Sequence, residues 1–264
     1  MTEARPSSSP PAVPAASLRR PVPRVLAIML YTRRSCFPPK RWVALLLPCA
    51  GALLFGLLAH AVNSQRDHAF ANVAAEGIFS LVMPIAALVI GDSVLGAEVR
   101  AGTFHFTWLS PVPTWQIVFG RWAAGSLVAL VTIAPSAALA AFVAGSSGSA
   151  WPAFVASAIG SVAYVAIFIA IGCLTRRTAV WSLAFVFLVE RLLGAALTGI
   201  AQLSPTWESR AIFVGLLSDA PSRLQRVGIP QGRGAVARLA IVTVVALLLA
   251  NWRMRRLRLA GAAD

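Results

Sequence analysis

"VAAEGIFSLVMPIAALVIGDSVL", residues 73–95, runs directly into "GAEVRAGTFHFTWLSPVPTWQIVFGRW", residues 96–122. The first stretch carries Glu76 and Asp92 near its two ends and is otherwise apolar or small. It exceeds the ~20 residues that a helix needs to cross a bilayer. The second stretch, with Glu98, Arg100 and Arg121, is too polar to span. With Phe104, Phe106 and Trp108 it is also too apolar for a solvated loop. A chain that alternates in this way threads a membrane, and its connections are themselves structured.

The rest of the sequence extends the pattern. Of 264 residues, 58% are hydrophobic and 12% charged, and the mean hydropathy is +0.76. Soluble domains carry about 25% charged residues. Six spans are predicted, at 42–62, 73–95, 117–144, 151–174, 179–203 and 236–252, with a kink at Pro84 in the second. Trp42, Trp115, Trp122, Trp151, Trp181, Trp207 and Trp252 fall at or near span ends, where an indole ring can be half wet. The fold class is an all-α polytopic membrane protein. One transmembrane domain occupies 24–258, between a Pro, Ser and Ala-rich tail at 1–23 and a short tail at 259–264. "RVLAIMLYTRR" reads as an amphipathic interfacial helix rather than a signal peptide, because no cleavage pattern follows it.

The net charge is +14, from 22 Arg and one Lys against 9 acids. A basic chain can bind nucleic acid, but basic residues beside spans set topology instead. With the N-terminus inside, the inner segments hold 16 basic residues and the outer loops 6. Both termini are therefore expected in the cytoplasm. Heavy Arg, Ala, Gly and Pro usage points to a bacterial genome, and so to a bacterial cell membrane, with lipids as neighbours and no nucleic-acid partner. The last outer loop, 204–235, is long and basic against this rule. Its "RAIFVGLLSDAP" is too short to span and reads as a helix dipping into the outer leaflet or lying along it. Cys36, Cys49 and Cys173 form no CxxC pair, so inert thiols are expected, with no disulfide framework or metal site.

In the cytoplasmic segment, 97–109 can form a helix. Ala101, Phe104 and Trp108 then stack on one face at spacings of three and four, and Glu98, Gly102 and His105 lie on another. Pro111 and Pro113 end it, and Thr114 can cap the third span. Exposed aromatics of this kind are a protein docking surface. The segment resembles that of the ABC-2 type transporter permeases, whose pattern is a Glu, a Gly-Thr pair, hydrophobics, a Pro and a basic residue entering the third span. Here these are Glu98, Gly102 and Thr103, 106–109, Pro111 and Arg121, with Arg100, Phe104 and Trp108 in the same stretch. The resemblance implies a coupling helix that docks on a separate ATP-binding cassette ATPase, and assembly as a homodimer or heterodimer of permease subunits. It further implies short re-entrant helices before the last span. No GxxxxGK[ST] loop is present. The chain is thus read as non-enzymatic and without a cofactor, with ATP bound by its partner.

Glu190 and Arg191 form an intramembrane polar site near the middle of the fifth span. An ionised group at that depth costs at least ~2.5–3.5 kcal/mol unless paired or wet. The pair reads either as part of a substrate path or protomer contact, or as structural. Neighbours on a helix point about 100° apart and need not pair with each other. Glu76 and Asp92 read as acids snorkelling to the two surfaces. "GSSG" at 145–148 resembles the nucleophile motif of rhomboid proteases, but no histidine follows it, and a flexible turn explains it better. The function expected is the membrane subunit of an exporter. The alternatives are an ion-coupled secondary transporter or a membrane-embedded enzyme.

Overall fold

The computed structural model describes residues 24–36, 39–62, 66–96, 112–175, 177–225 and 231–256. Among them every regular element is a helix. The longer ones are α1 (Arg24–Cys36), α2 (Pro39–Val62), α3 (66–96), α4 (Thr114–Val143), α5 (Ala150–Leu174), α6 (Thr178–Ala196), α7 (Pro205–Leu216) and α8 (Arg233–Arg256), with single helical turns at Ser147–Ser149, Thr198–Ala201 and Ser222–Leu224. The tails at 1–23 and 259–264 and the cytoplasmic helix read at 97–109 lie outside the described residues. Five helices are long and apolar enough to cross a membrane: 68–95 within α3, then α4, Ser147–Leu174, α6 and α8. In α2 the apolar run Leu46–Ala61 is shorter, and Lys40 and Arg41 occupy its first turn.

Two of these helices are partly wound as π-helix, where each N–H bonds five residues back. In α3 the π segments are Ala74–Val82 and Asp92–Gly96, and in α6 the segment is Phe185–Leu193. Pro84 follows directly on the first, where the winding returns to α at Met83. A change of register absorbs the donor that proline lacks.

Two expectations are corrected. The apolar pattern predicts a fifth span to 203, but the helix ends at Ala196, Leu197 is extended (φ −117°, ψ 112°), and a separate turn of helix follows at Thr198–Ala201. The reason is the position of Ser204, whose hydroxyl meets Glu190. A straight helix would carry the two about 21 Å apart at 1.5 Å per residue. Thr114 was read as the cap of α4, but the N-cap is Pro113, with no capping side chain. The Thr114 hydroxyl instead donates to Asn251 Oδ1 at 2.9 Å, tying the start of α4 to the end of α8. The "GSSG" turn is ordered. Gly145 has φ +79°, and the Gly145 and Ser146 N–H groups donate to the Phe142 and Ala141 carbonyls, a Schellman cap that only glycine enters without strain.

α5 is the axis of the bundle. It packs on α3, α4, α7 and α8 and is buried along most of its length, from Pro152 to Cys173. α6 and α8 leave most of their surface uncovered. In lipid, apolar side chains gain nothing by leaving a hydrocarbon solvent, so helices associate through close backbone approach and polar contacts. The small residues of this chain serve that purpose. A Cβ on Gly56 would lie 2.4 Å from the Ala140 carbonyl oxygen, so α2 and α4 touch backbone to backbone. A Cβ on Gly91 would lie 2.6 Å from that of Phe168.

Gly56→Val must therefore push α2 off α4. The expected loss is about 1–3 kcal/mol, read as a lower thermal midpoint of the detergent-solubilised chain. Leu57→Ala, at a position 54% exposed, serves as the neutral control. An unchanged midpoint for Gly56→Val would refute the close contact.

Candidate functional site

Polar side chains gather where α7 meets α3, α5 and α6. Ser204 is the N-cap of α7 and Pro205 its first residue, a favoured start. Capping leaves the Ser204 hydroxyl hydrogen free, and it donates to Glu190 Oε1 at 2.8 Å. Thr206, one residue into α7, donates to Glu190 Oε2 at 3.2 Å. From α5 the Tyr164 hydroxyl donates to the same Oε2 and lies 2.6 Å from Thr206 Oγ1. Trp207 Nε1 donates to the Glu190 carbonyl at 3.4 Å. Three hydroxyls thus surround a carboxyl that is 1% exposed. Glu190 lies about 18 Å along α6, and Tyr164 about 15 Å from the same end of α5, at 1.5 Å per residue. Both belong to the middle of a ~30 Å hydrocarbon layer.

Arg191 does not join this cluster. The expected divergence of neighbours holds: Glu190 points inward, while Arg191 lies on an exposed part of α6. There its Nη1 is 3.6 Å from Glu76 Oε2 on α3. Glu76 has a closer partner in Arg210 of α7, whose Nη2 donates to Glu76 Oε1 and whose Nε donates to the Ala75 carbonyl at 2.9 Å. The Arg210 guanidinium also sits over the Trp207 ring, 4.9 Å from its centroid. Glu76 is therefore not a lone snorkelling acid. It is two-thirds exposed, at 67%, yet paired to two arginines. Its position is about 12 Å along the span that begins at His68, at 1.5 Å per residue.

α7 carries a third contact. Glu208 is fully buried, and Arg238 of α8 approaches it at 3.7 Å. Neither Glu208 oxygen accepts a hydrogen bond from the described residues. Beside it Ser209 faces Gly160 of α5, where a Cβ would come within 2.0 Å of the serine oxygen. α7 is thus seated by one glycine and three polar contacts.

Of the residues singled out from sequence, Glu98, Arg100, Gly102, Thr103, Phe104, Trp108 and Pro111 lie outside the described residues. Arg121 lies within them. It is 2% exposed, and its Nη1 donates to the Val94 carbonyl at 3.0 Å in the final π turn of α3. It holds the two ends from which the 97–111 segment departs and returns. Sequence reasoning did not find Tyr164, Ser204, Thr206, Arg210 or the Glu208–Arg238 pair. Signals were present: Tyr164 is one of two tyrosines and lies in an apolar span, and Ser204-Pro205 is a helix-start pair. Free thiols stand at Cys49, partly buried, and Cys173, buried. Among the described residues no group of His, Cys, Asp and Glu could hold a metal ion.

Residues 38–215, which include all of this site except Arg238, match the family model described as ABC-2 family transporter protein. No curated protein matches the chain.

If the three hydroxyls and Glu190 form one unit, Glu190→Gln and Tyr164→Phe should each lower the thermal midpoint, and the double variant should cost less than the sum. A coupling of about 0.5–2 kcal/mol is expected, the range of interhelical hydrogen bonds in membranes and of contacting pairs. Strict additivity would show that the hydroxyl–carboxyl contact carries no energy.

Proposed function

The chain belongs to the ABC-2 family of transporter proteins, and from that membership we propose that it is the membrane subunit of an exporter whose ATP is hydrolysed by a separate ATP-binding cassette chain. It is a multi-pass membrane permease by family and by its membrane-length helices. In the proposed arrangement α2 is the first of six spans and both termini are cytoplasmic. The subunit works as a dimer in a bacterial plasma membrane, and residues 98–109 dock on the ATPase. α7 re-enters the membrane from outside. Its seat on Tyr164 and Glu190, both about halfway along their spans, supports that reading.

One observation carries the transport path: the Glu76–Arg191 pair. Both side chains are exposed, at 67% and 39%, inside helices of membrane length. A charge facing hydrocarbon costs at least ~2.5–3.5 kcal/mol, so intramembrane charges turn to water or to protein. The surface shared by α3 and α6 is then the wall of a wet path that a second permease subunit closes on its far side. The apolar exposed faces of α2 and α8, with Leu46, Leu47, Leu54, Val244, Val245 and Leu248, suit lipid.

With Cys36, Cys49 and Cys173 replaced by Ala, Arg191→Cys should react with a membrane-impermeant thiol reagent, and Leu248→Cys should not. If position 191 proves as unreactive as 248 from both sides, the path lies elsewhere. For the coupling segment, Phe104→Ala with Trp108→Ala should abolish substrate-stimulated ATPase activity while the permease still inserts. Aromatic anchors at interface hot spots contribute ≥2 kcal/mol each. Wild-type co-purification and stimulation of the ATPase by the double variant would sink the docking role.

A further inference from the structure

α8 is tied to other helices by polar side chains at two levels. At the first, the hydroxyl of Thr114, the first residue of α4, donates to Asn251 Oδ1 at 2.9 Å and accepts from Arg255 Nε at 3.4 Å. α8 thus grips the residue at which the chain re-enters the bundle after 97–111. At the second, Arg238 stands 3.7 Å from Glu208 of α7. Among the described residues the polar side-chain contacts of α8 with other helices fall at these two levels. They are about 20 Å apart along the axis, at 1.5 Å per residue.

The helix between them is stiff. From 235 to 256 it holds no proline, glycine or π turn, alone among the five described helices of membrane length. α3 and α6 have π segments, α4 has Pro135, and α5 has Gly160 and Gly172. Helices kink at such residues and turns. The buried residues of α8 are Ala235, Leu239, Ala246, Ala250 and Met254. In hydrocarbon an apolar face of this kind makes no hydrogen bond that a small shift would break.

The contact with α7 is incomplete. Glu208 is fully buried, yet neither of its oxygens accepts a hydrogen bond from the described residues, and Arg238 Nη1 finds no hydrogen-bond partner among them. A guanidinium and a carboxylate bond at about 2.7–2.9 Å, so a displacement of about 1 Å separates this arrangement from a closed pair. A buried charge without such bonds is costly, which makes the closed pair a second state within reach. Distant sites are coupled by rigid elements that have two discrete arrangements.

We infer that α8 is a lever between the 97–111 segment and α7. Thr114 passes a displacement to Asn251 and Arg255, and α8 carries it to Arg238, which closes on Glu208 or draws away. This extends the docking role proposed for residues 98–109 by giving it a route to α7. The test needs no ATPase, so the docking role and the lever can fail separately.

The experiment is hydrogen–deuterium exchange of the full chain in phosphatidylcholine nanodiscs, read over 205–216. Exchange follows the local opening of backbone hydrogen bonds. Arg238→Gln leaves a buried carboxylate without its cation and should speed exchange there about tenfold or more. Asn251→Ala and Thr114→Val, at the far end of α8, should each speed it about threefold, within the range of couplings carried by packed elements. Thr114→Ser keeps the hydroxyl and should match the parent chain. So should Leu248→Ala, at an exposed position of the same helix. In the Arg238→Gln background Asn251→Ala should add nothing. Parent rates over 205–216 in Asn251→Ala and Thr114→Val, which break one bond from its two sides, overturn the lever. Parent rates in Arg238→Gln do so too. An equal further gain from Asn251→Ala in the Arg238→Gln background also overturns it, because the effect then bypasses Arg238. Faster exchange confined to 112–118 and 249–256 reduces the Thr114–Asn251 bond to a local tie and removes the lever.

Discussion

Hydrocarbon offers no hydrogen bonds, and this chain carries polar side chains into it at several depths. Such groups turn to partners within the protein or to water. The arrangement of α3, α5, α6 and α7 follows from the way Glu190 meets that requirement. Its carboxyl lies far from either surface, and its partners come from two other helices. Two of them, Ser204 and Thr206, reach it only because the chain leaves helix at Leu197 and turns back. The break in the fifth span, the start of α7 and the depth of α7 are thus one solution to one buried acid. With α7 seated, Arg210 falls beside Glu76.

The π segments belong to the same account. Glu76 lies in one, Asp92 begins a second, and Glu190 and Arg191 share the third. Such segments are rare and collect at functional sites. Widening a turn loosens the backbone carbonyls and alters where successive side chains point. Here that lets Glu190 face a hydroxyl cluster while Arg191, its neighbour, faces outward. The Trp207 indole uses a carbonyl within the widened stretch, and Arg121 does so at the end of α3.

The helical class and most span positions were legible because apolar run length is a strong signal that tertiary context seldom overrides. The pairing of charges was not legible. Glu76 and Arg210 are 134 residues apart, and Glu208 and Arg238 are joined across the last loop. Periodicity within a helix carries no information about which helix lies opposite. Arg210 read as one more basic residue of an outer loop that broke the charge rule. It holds a place there because Glu76, Ala75 and Trp207 engage it, so its role is contact and not topology. Helix ends also escaped the reading: Thr114 bonds Asn251, a partner no local rule brings to it.

The Glu190 cluster also bears on how the protein is made. Its members emerge from the ribosome in a fixed order: Tyr164 first, then Glu190, then Ser204 and Thr206. When α6 is handed to the insertion machinery, its acid can meet the tyrosine of a helix already delivered, but its two other partners, 14 and 16 residues further along, follow it out. The fifth span therefore enters the membrane with its most demanding side chain half accommodated. It becomes settled when the following hairpin folds back against it.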